Sequence, residues 1–182
     1  MPLEGNKRVA TGGISHKGKS ICVLGDSIVK DIKPYLMKKA IPACSKMWIK
    51  SFSGATTECM NDYVTPSLKS KPDIVLLHCG TNDLRSDLSP ETIAKNIINL
   101  ALRLKTSCED VIVSGLLARN DQFNNTGIEV NKFLVKRCLE TNTTFCSNSA
   151  VNSRQHLNRG GLHLNTNGTV CLANSFIKVI ER

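Results

Sequence analysis

The chain predicts an α/β protein, a three-layer α/β/α sandwich on a central parallel sheet of about five strands. From residue 20 onward, short apolar runs alternate with longer segments of helical periodicity, the pattern of strands joined by crossover helices. The run Asp73-Ile74-Val75-Leu76-Leu77-His78 is almost continuously apolar, as a strand covered on both faces has to be. With 182 residues, 41% of them hydrophobic, the chain can bury one real core. A flavodoxin-like strand order is assigned by analogy with other doubly wound sheets, because spacing does not fix it.

Residues 1–19, rich in small and basic residues and without apolar periodicity, read as a flexible basic tail; residues 20–182 read as one folded domain. Ile21–Leu24 is the first strand. Ile28 to about Lys39 reads as a helix broken or kinked near its middle by Pro34. Met47–Phe52 is the second strand, followed by the small-residue loop Ser53-Gly54-Ala55-Thr56-Thr57 and a helix over 58–68 interrupted by Pro66. After the third strand comes Cys79-Gly80-Thr81-Asn82-Asp83. Ser89-Pro90 then opens a helix with a capping hydroxyl and a proline at the first position. Its apolar stripe is Ile93, Ile97, Leu100, Ala101 and Leu104.

Asp110–Leu117 reads as the fourth strand, Arg119–Thr126 as a polar loop, and 128–140 as a helix. Thr143–Cys146 is a short fifth strand, 152–161 a loop, and 166–180 a last helix with Leu172, Ala173, Phe176, Ile177 and Ile180 inward. There is no internal repeat and no low-complexity segment.

The formal net charge is +9. Part of it lies in the tail (Lys7, Arg8, Lys17, Lys19) and part in the first helical region and second strand (Lys30, Lys33, Lys38, Lys39, Lys46, Lys50). Such a field favours polyanions, so weak, salt-sensitive nucleic-acid binding is one expectation, against ordinary solubility charge as the other. Aromatic residues are only 4%, which argues against base-stacking platforms. Eight cysteines occur without CxxC or clustered Cys/His spacing; reduced, mostly buried thiols are expected, with no metal and no cofactor. Lacking a bilayer-length apolar run and an apolar N-terminal segment, the sequence predicts a cytoplasmic protein.

Gly25-Asp26-Ser27 follows the apolar run directly and brings a serine to the carboxyl edge of the sheet, where open α/β sheets bind ligands. Ser27 read alone is an N-cap as readily as a nucleophile. Gly54 and Asn82 follow the second and third strands, and His163 precedes the last helix. A serine, an imidazole to take its proton, and donors aimed at a developing oxyanion are what acyl transfer requires. Each residue also has a plainer reading: Gly54 as a turn glycine, Asn82 as an Asx-turn residue, His163 as a loop histidine. Asp26 and Asp83 read as turn and loop anchors, and His78 as a satisfied core or rim histidine. His156, seven residues before His163, stays outside the site.

Gly25-Asp26-Ser27-Ile28, Gly54 within Ser51-Phe52-Ser53-Gly54-Ala55-Thr56, Gly80-Thr81-Asn82-Asp83 and Gly161-Leu162-His163-Leu164-Asn165 resemble the ordered blocks of the SGNH (GDSL) hydrolases. The wording of the blocks also resembles SGNH domains encoded in animal retroelements. The resemblance covers about residues 20–181. It implies a three-layer α/β/α fold and esterase, lipase, acyltransferase or carbohydrate-deacetylase chemistry. By position it implies Ser27 as nucleophile, Gly54 and Asn82 as oxyanion donors beside the Ser27 N–H, and His163 as base.

The family usually carries an aspartate three residues before the histidine; here that position is Gly160. Three readings follow. A main-chain carbonyl near 158–161 holds the imidazole in a Ser-His dyad; an acid from elsewhere, such as Asp121 or Glu129, substitutes; or the hydrolase has become a silent module. The leading expectation is a metal-independent serine esterase acting on a small-molecule, lipid or carbohydrate O-acyl ester. The alternative is an inactive module that binds nucleic acid or protein through its basic surface.

Overall fold

A computed structural model describes residues 16–182. Five parallel strands form one sheet: β1 (Ser20–Gly25), β2 (Lys46–Ser51), β3 (Ile74–His78), β4 (Asp110–Ser114) and β5 (Thr144–Cys146), in the order β2-β1-β3-β4-β5. The predicted fold class and the flavodoxin-like order are both present. Helices α1 (Pro34–Ala40) and α6 (Thr166–Ile180) cover one face. Helices α2 (Thr57–Leu68), α3 (Pro90–Lys105) and α4 (Asn124–Glu140) cover the other, and a short α5 (Ser153–His156) lies in the loop before α6.

The period-2 geometry of strands divides the core. Cys22, Leu24, Val75, Leu77, Val111 and Val113 face α2, α3 and α4. Ile21, Val23, Ile74, Leu76 and Ile112 face the layer containing Met37, Leu172 and Phe176. All these residues are essentially inaccessible to solvent, and full burial of each larger aliphatic side chain is worth about 1.5–3 kcal/mol.

The capping signal read at Ser89-Pro90 operates, and two further helices are capped by side chains that the sequence reading did not single out. Thr56 accepts from the Cys59 N–H, Ser89 from the Thr92 N–H with Pro90 at the first position, and Asn165 from the Gly168 N–H. Pro34 does not break a helix. Its fixed φ and missing N–H suit a first helical position, so it begins α1, and the preceding residues form only a 3₁₀ turn, Ser27–Val29. Pro66 does not interrupt α2, which runs through it to Leu68. The fourth strand stops at Ser114, α4 starts one turn early at Asn124, and α5 occupies part of the expected loop.

Residues 16–19, counted with the tail, are attached to the domain. The Gly18 N–H donates to the Ala43 carbonyl at 2.8 Å, and Lys19 pairs with Glu109 at 2.5 Å. The rest of the expected tail lies outside the described residues. All eight cysteines are free thiols, and five are buried. Among the described residues no helix is long and apolar enough to cross a membrane.

The strand order places the site. The chain runs from β1 to β2 on one side and returns to β3 on the other. Loops leaving neighbouring strand ends in opposite directions open a crevice at the carboxyl edge. Ser27 stands at that switch point.

Candidate active site

Ser27 is held by its neighbours on both sides. The Asp26 N–H donates to the His78 carbonyl at 3.1 Å, the Phe52 N–H to the Gly25 carbonyl at 2.8 Å, and the Ser51 hydroxyl to the Asp26 carbonyl at 2.9 Å. The end of β1 is thereby sewn to β3 and β2. Gly25 is required there, since a Cβ would stand 2.5 Å from the His78 carbonyl oxygen. The capping role that Ser27 was offered belongs to Asp26, whose carboxylate accepts from the Ile28 N–H at 3.0 Å. The Ser27 hydroxyl is thus released from local bonding, and its Oγ lies 3.1 Å from Nε2 of His163, 136 residues away.

The oxyanion candidates sit on either side. Gly54 has φ +79°, a left-handed conformation that penalises a side chain; a Cβ there meets open space, so conformation alone demands the glycine. The Asn82 side-chain amide donates to the Ala55 carbonyl at 2.9 Å. This ties the loop after β3 to the loop after β2 and leaves the second amide hydrogen of Asn82 for another acceptor. Asp83, buried, accepts from the Thr57 N–H at 3.2 and 2.9 Å and from its hydroxyl at 2.5 Å. It fixes the start of α2 to the same pair of loops, the anchoring role read for it from sequence. Phe52 and Tyr63 stack at 4.3 Å and support this loop from beside it.

His163 rides on a tight loop. The Asn158 N–H donates to the His163 carbonyl at 2.7 Å, the Gly161 N–H to the Asn158 carbonyl at 3.0 Å, and Leu157 bridges Leu164. Asn165 closes the loop by donating to the Gln155 and Leu157 carbonyls. Outside the loop, the Asn120 N–H donates to the Gly161 carbonyl at 2.9 Å.

Among the described residues no hydrogen bond reaches Nδ1 of His163, so the expected carbonyl partner near 158–161 is not in place. The substitute acids are not there either. Asp121 is bound to Arg119, which holds its carboxyl below the usual carboxylate range, and Glu129 pairs with Lys132 on the surface. His156 accepts the Asn152 N–H through Nδ1 and supports its own loop.

Beneath the site His78 is fully buried, its Nδ1 2.8 Å from the Ser114 hydroxyl. Asn148 donates to that hydroxyl at 2.8 Å and to the Gly115 carbonyl at 2.5 Å. The Ser114 hydroxyl thus links Asn148, from which it accepts, to Nδ1 of His78. Nε2 of His78 and one Asp26 oxygen have no partner among the described residues, so the expectation of a satisfied histidine holds for half its ring. Burial lowers the His78 pKa and raises that of Asp26, each opposed by the charge of the other.

Sequence reasoning passed over Arg119, treating it as part of a polar loop. It is buried beside the site, donating to Asp121 and, at 3.3 Å, to the Thr81 carbonyl. The spacing Arg119-Asn120-Asp121 was the available signal.

A lipolytic protein of the G-D-S-L family from Veillonella parvula superposes with a TM-score of 0.74 at 19% identity, over 90% of this chain and 98% of that one. Axe2, an acetylxylan esterase from Geobacillus stearothermophilus, gives 0.75 at 19% identity over 91% and 95%. TesA gives 0.76 at 16% identity over 90% and 98%. Likenesses at this identity establish a common fold. No curated relative matches the chain in sequence. The model of the GDSL-like lipase/acylhydrolase family matches residues 23–169, most of the described domain, and the chain belongs to that family.

Proposed function

We propose that the protein is a serine ester hydrolase that cleaves O-acyl esters through Ser27 and His163 without a third, acidic member. The observation that carries this reading is the 3.1 Å separation between Ser27 Oγ and His163 Nε2, across 136 residues of sequence. It is hydrogen-bonding distance for transfer of the hydroxyl proton to imidazole.

In the forward half-reaction, Ser27 Oγ attacks the ester carbonyl as Nε2 of His163 takes its proton. The oxyanion is met by the backbone N–H groups of Ser27 and Gly54 and the free hydrogen of the Asn82 amide. Collapse of the tetrahedral intermediate breaks the bond to the alcohol oxygen, which leaves with the proton from His163. Water, deprotonated by the same nitrogen, then attacks the acyl-enzyme and returns Ser27 to its hydroxyl form. Each oxyanion donor is worth about 100- to 1,000-fold in rate. The acetylxylan esterase among the structural neighbours favours a short acyl group such as acetate.

The test is hydrolysis of p-nitrophenyl acetate by the wild type, Ser27→Ala and His163→Ala. The expected outcome is a saturable wild-type rate that falls to background in both variants. A wild-type rate equal to that of Ser27→Ala refutes this reading for activated acetate esters. The absence of a bond to Nδ1 of His163 among the described residues, with the net charge of +9, favours a second reading: a silent module binding nucleic acid or protein. Under that reading affinity for a DNA or RNA oligonucleotide falls steeply with salt, and no ester turns over.

A further inference from the structure

We propose that Arg119 is a positioning residue for catalysis: its buried guanidinium fastens the loop bearing Asn82 to the loop bearing His163. The inference rests on the reading of Ser27 and His163 as nucleophile and base. It explains how a histidine with no acid behind it keeps its place.

Arg119 is 4% exposed, and a guanidinium out of water is tolerated only when its donors are matched. They are matched in two directions. Nε lies 2.9 and 3.1 Å from the two Asp121 carboxylate oxygens, and Nη2 lies 2.5 Å from one of them. Nη1 reaches away to the Thr81 carbonyl, the residue before Asn82. The Phe123 ring lies 5.4 Å from the guanidinium carbon and covers it. A lysine ammonium has no fork with which to grip a carboxylate and a carbonyl at fixed angles together.

The same three-residue segment holds the base loop. Asn120, between the arginine and its aspartate, donates its N–H to the Gly161 carbonyl. Gly161 has φ +68°, and a Cβ there would come within 2.9 Å of the Asn120 Cβ. Behind the segment, the Arg119 N–H donates to the Asn124 side chain, and Asp121 accepts the Phe123 N–H, so the clamp is mounted on the start of α4. Two hydrogen bonds, Arg119 to Thr81 and Asn120 to Gly161, therefore join the oxyanion donor to the base. A misplacement of about 1 Å between such groups costs about 100-fold in rate.

The test measures p-nitrophenyl acetate turnover by the full chain carrying Arg119→Ala, Arg119→Lys, Asn82→Ala, and Arg119→Ala with Asn82→Ala, with Ser27→Ala as reference. Arg119→Ala is expected to lower kcat about 10- to 100-fold while KM moves less than about twofold, and Arg119→Lys to resemble it. The double variant is expected to lose less than the product of the single losses, because both act on one loop. Millimolar guanidinium should restore part of the Arg119→Ala rate and none of the Asn82→Ala rate, a response that general loosening of the fold would not give.

An Arg119→Ala kcat within about twofold of wild type overturns the proposal, as do losses that multiply. If Arg119→Ala does not fold, Asp121→Asn keeps the side-chain shape and weakens the clamp; wild-type kcat in that variant also overturns it. A rate lost in Ser27→Ala but kept in Arg119→Ala refutes the inference alone, whereas a rate unchanged in Ser27→Ala refutes the underlying reading.

Discussion

On the side of the site that holds Ser27, Gly54 and Asn82, each loop leaves a strand of the sheet and is tied to its neighbour by a side chain: Ser51 to Asp26, Asn82 to Ala55, Asp83 to Thr57. On the side that holds His163, the loop departs from no strand and is closed by its own backbone, by Asn165, and by one bond from Asn120. The proposed nucleophile and oxyanion donors inherit the rigidity of a buried sheet, whereas the proposed base depends on a few polar contacts at the rim. On the proposed reading, the base without an acidic partner therefore sits in the less constrained half.

The comparison can be broken from either half. Asn82→Ala removes the proposed oxyanion donor and also unties the loops after β2 and β3; p-nitrophenyl acetate turnover is expected to fall about 100- to 1,000-fold. Supplying the missing piece to the other half is the sharper experiment. A Cβ at Gly160 meets only the end of the Asn158 side chain, at 3.3 Å, so Gly160→Asp is sterically admissible. If the imidazole lacks only an orienting carboxylate, kcat should rise about tenfold or more, since neutralising the corresponding acid elsewhere costs about 10⁴-fold. An unchanged kcat would mean that the backbone already positions His163 as well as an acid would.

Asp83→Ala attacks the oxyanion half through stability. It strands the buried N–H and hydroxyl of Thr57 and should cost about 2–4 kcal/mol, read from the urea midpoint. The smallest effect is a pH dependence beneath both halves. His78 is held below its ordinary value of 6.5 by burial. The unfolded chain therefore takes up a proton that the native state refuses, and stability falls as pH drops below about 6.5. His78→Gln should flatten the urea midpoint between about pH 6.5 and 5.

How much of this was readable depended on the range of the cause. Strands β1 and β3, the cap at Ser89 and the start of α6 follow from local pattern and were legible; the caps at Thr56 and Asn165 were not singled out. Pro34 was misread because a proline at a helix start and one in its middle look alike without the neighbouring turn. The four candidate site residues were legible as blocks, but that Ser27 faces His163 was a matter of topology. The role of Arg119 was the least legible. Its nearby aspartate, Asp121, marks an ion pair, but what makes it notable is a carbonyl 38 residues earlier in the chain, and that approach is set by topology.

The scatter of thiols has a practical consequence. Burial pushes Cys22, Cys138 and Cys146 up to about 12, and Cys79 well above the ordinary thiol value. Cys59 is exposed in the first turn of α2, and hydrogen bonding to Thr56 lowers its pKa. A thiol-reactive dye at mildly alkaline pH should therefore modify Cys59 quickly and the buried cysteines only when the sheet opens. The protein carries its own clock for global unfolding, with a fast internal standard five residues from Gly54.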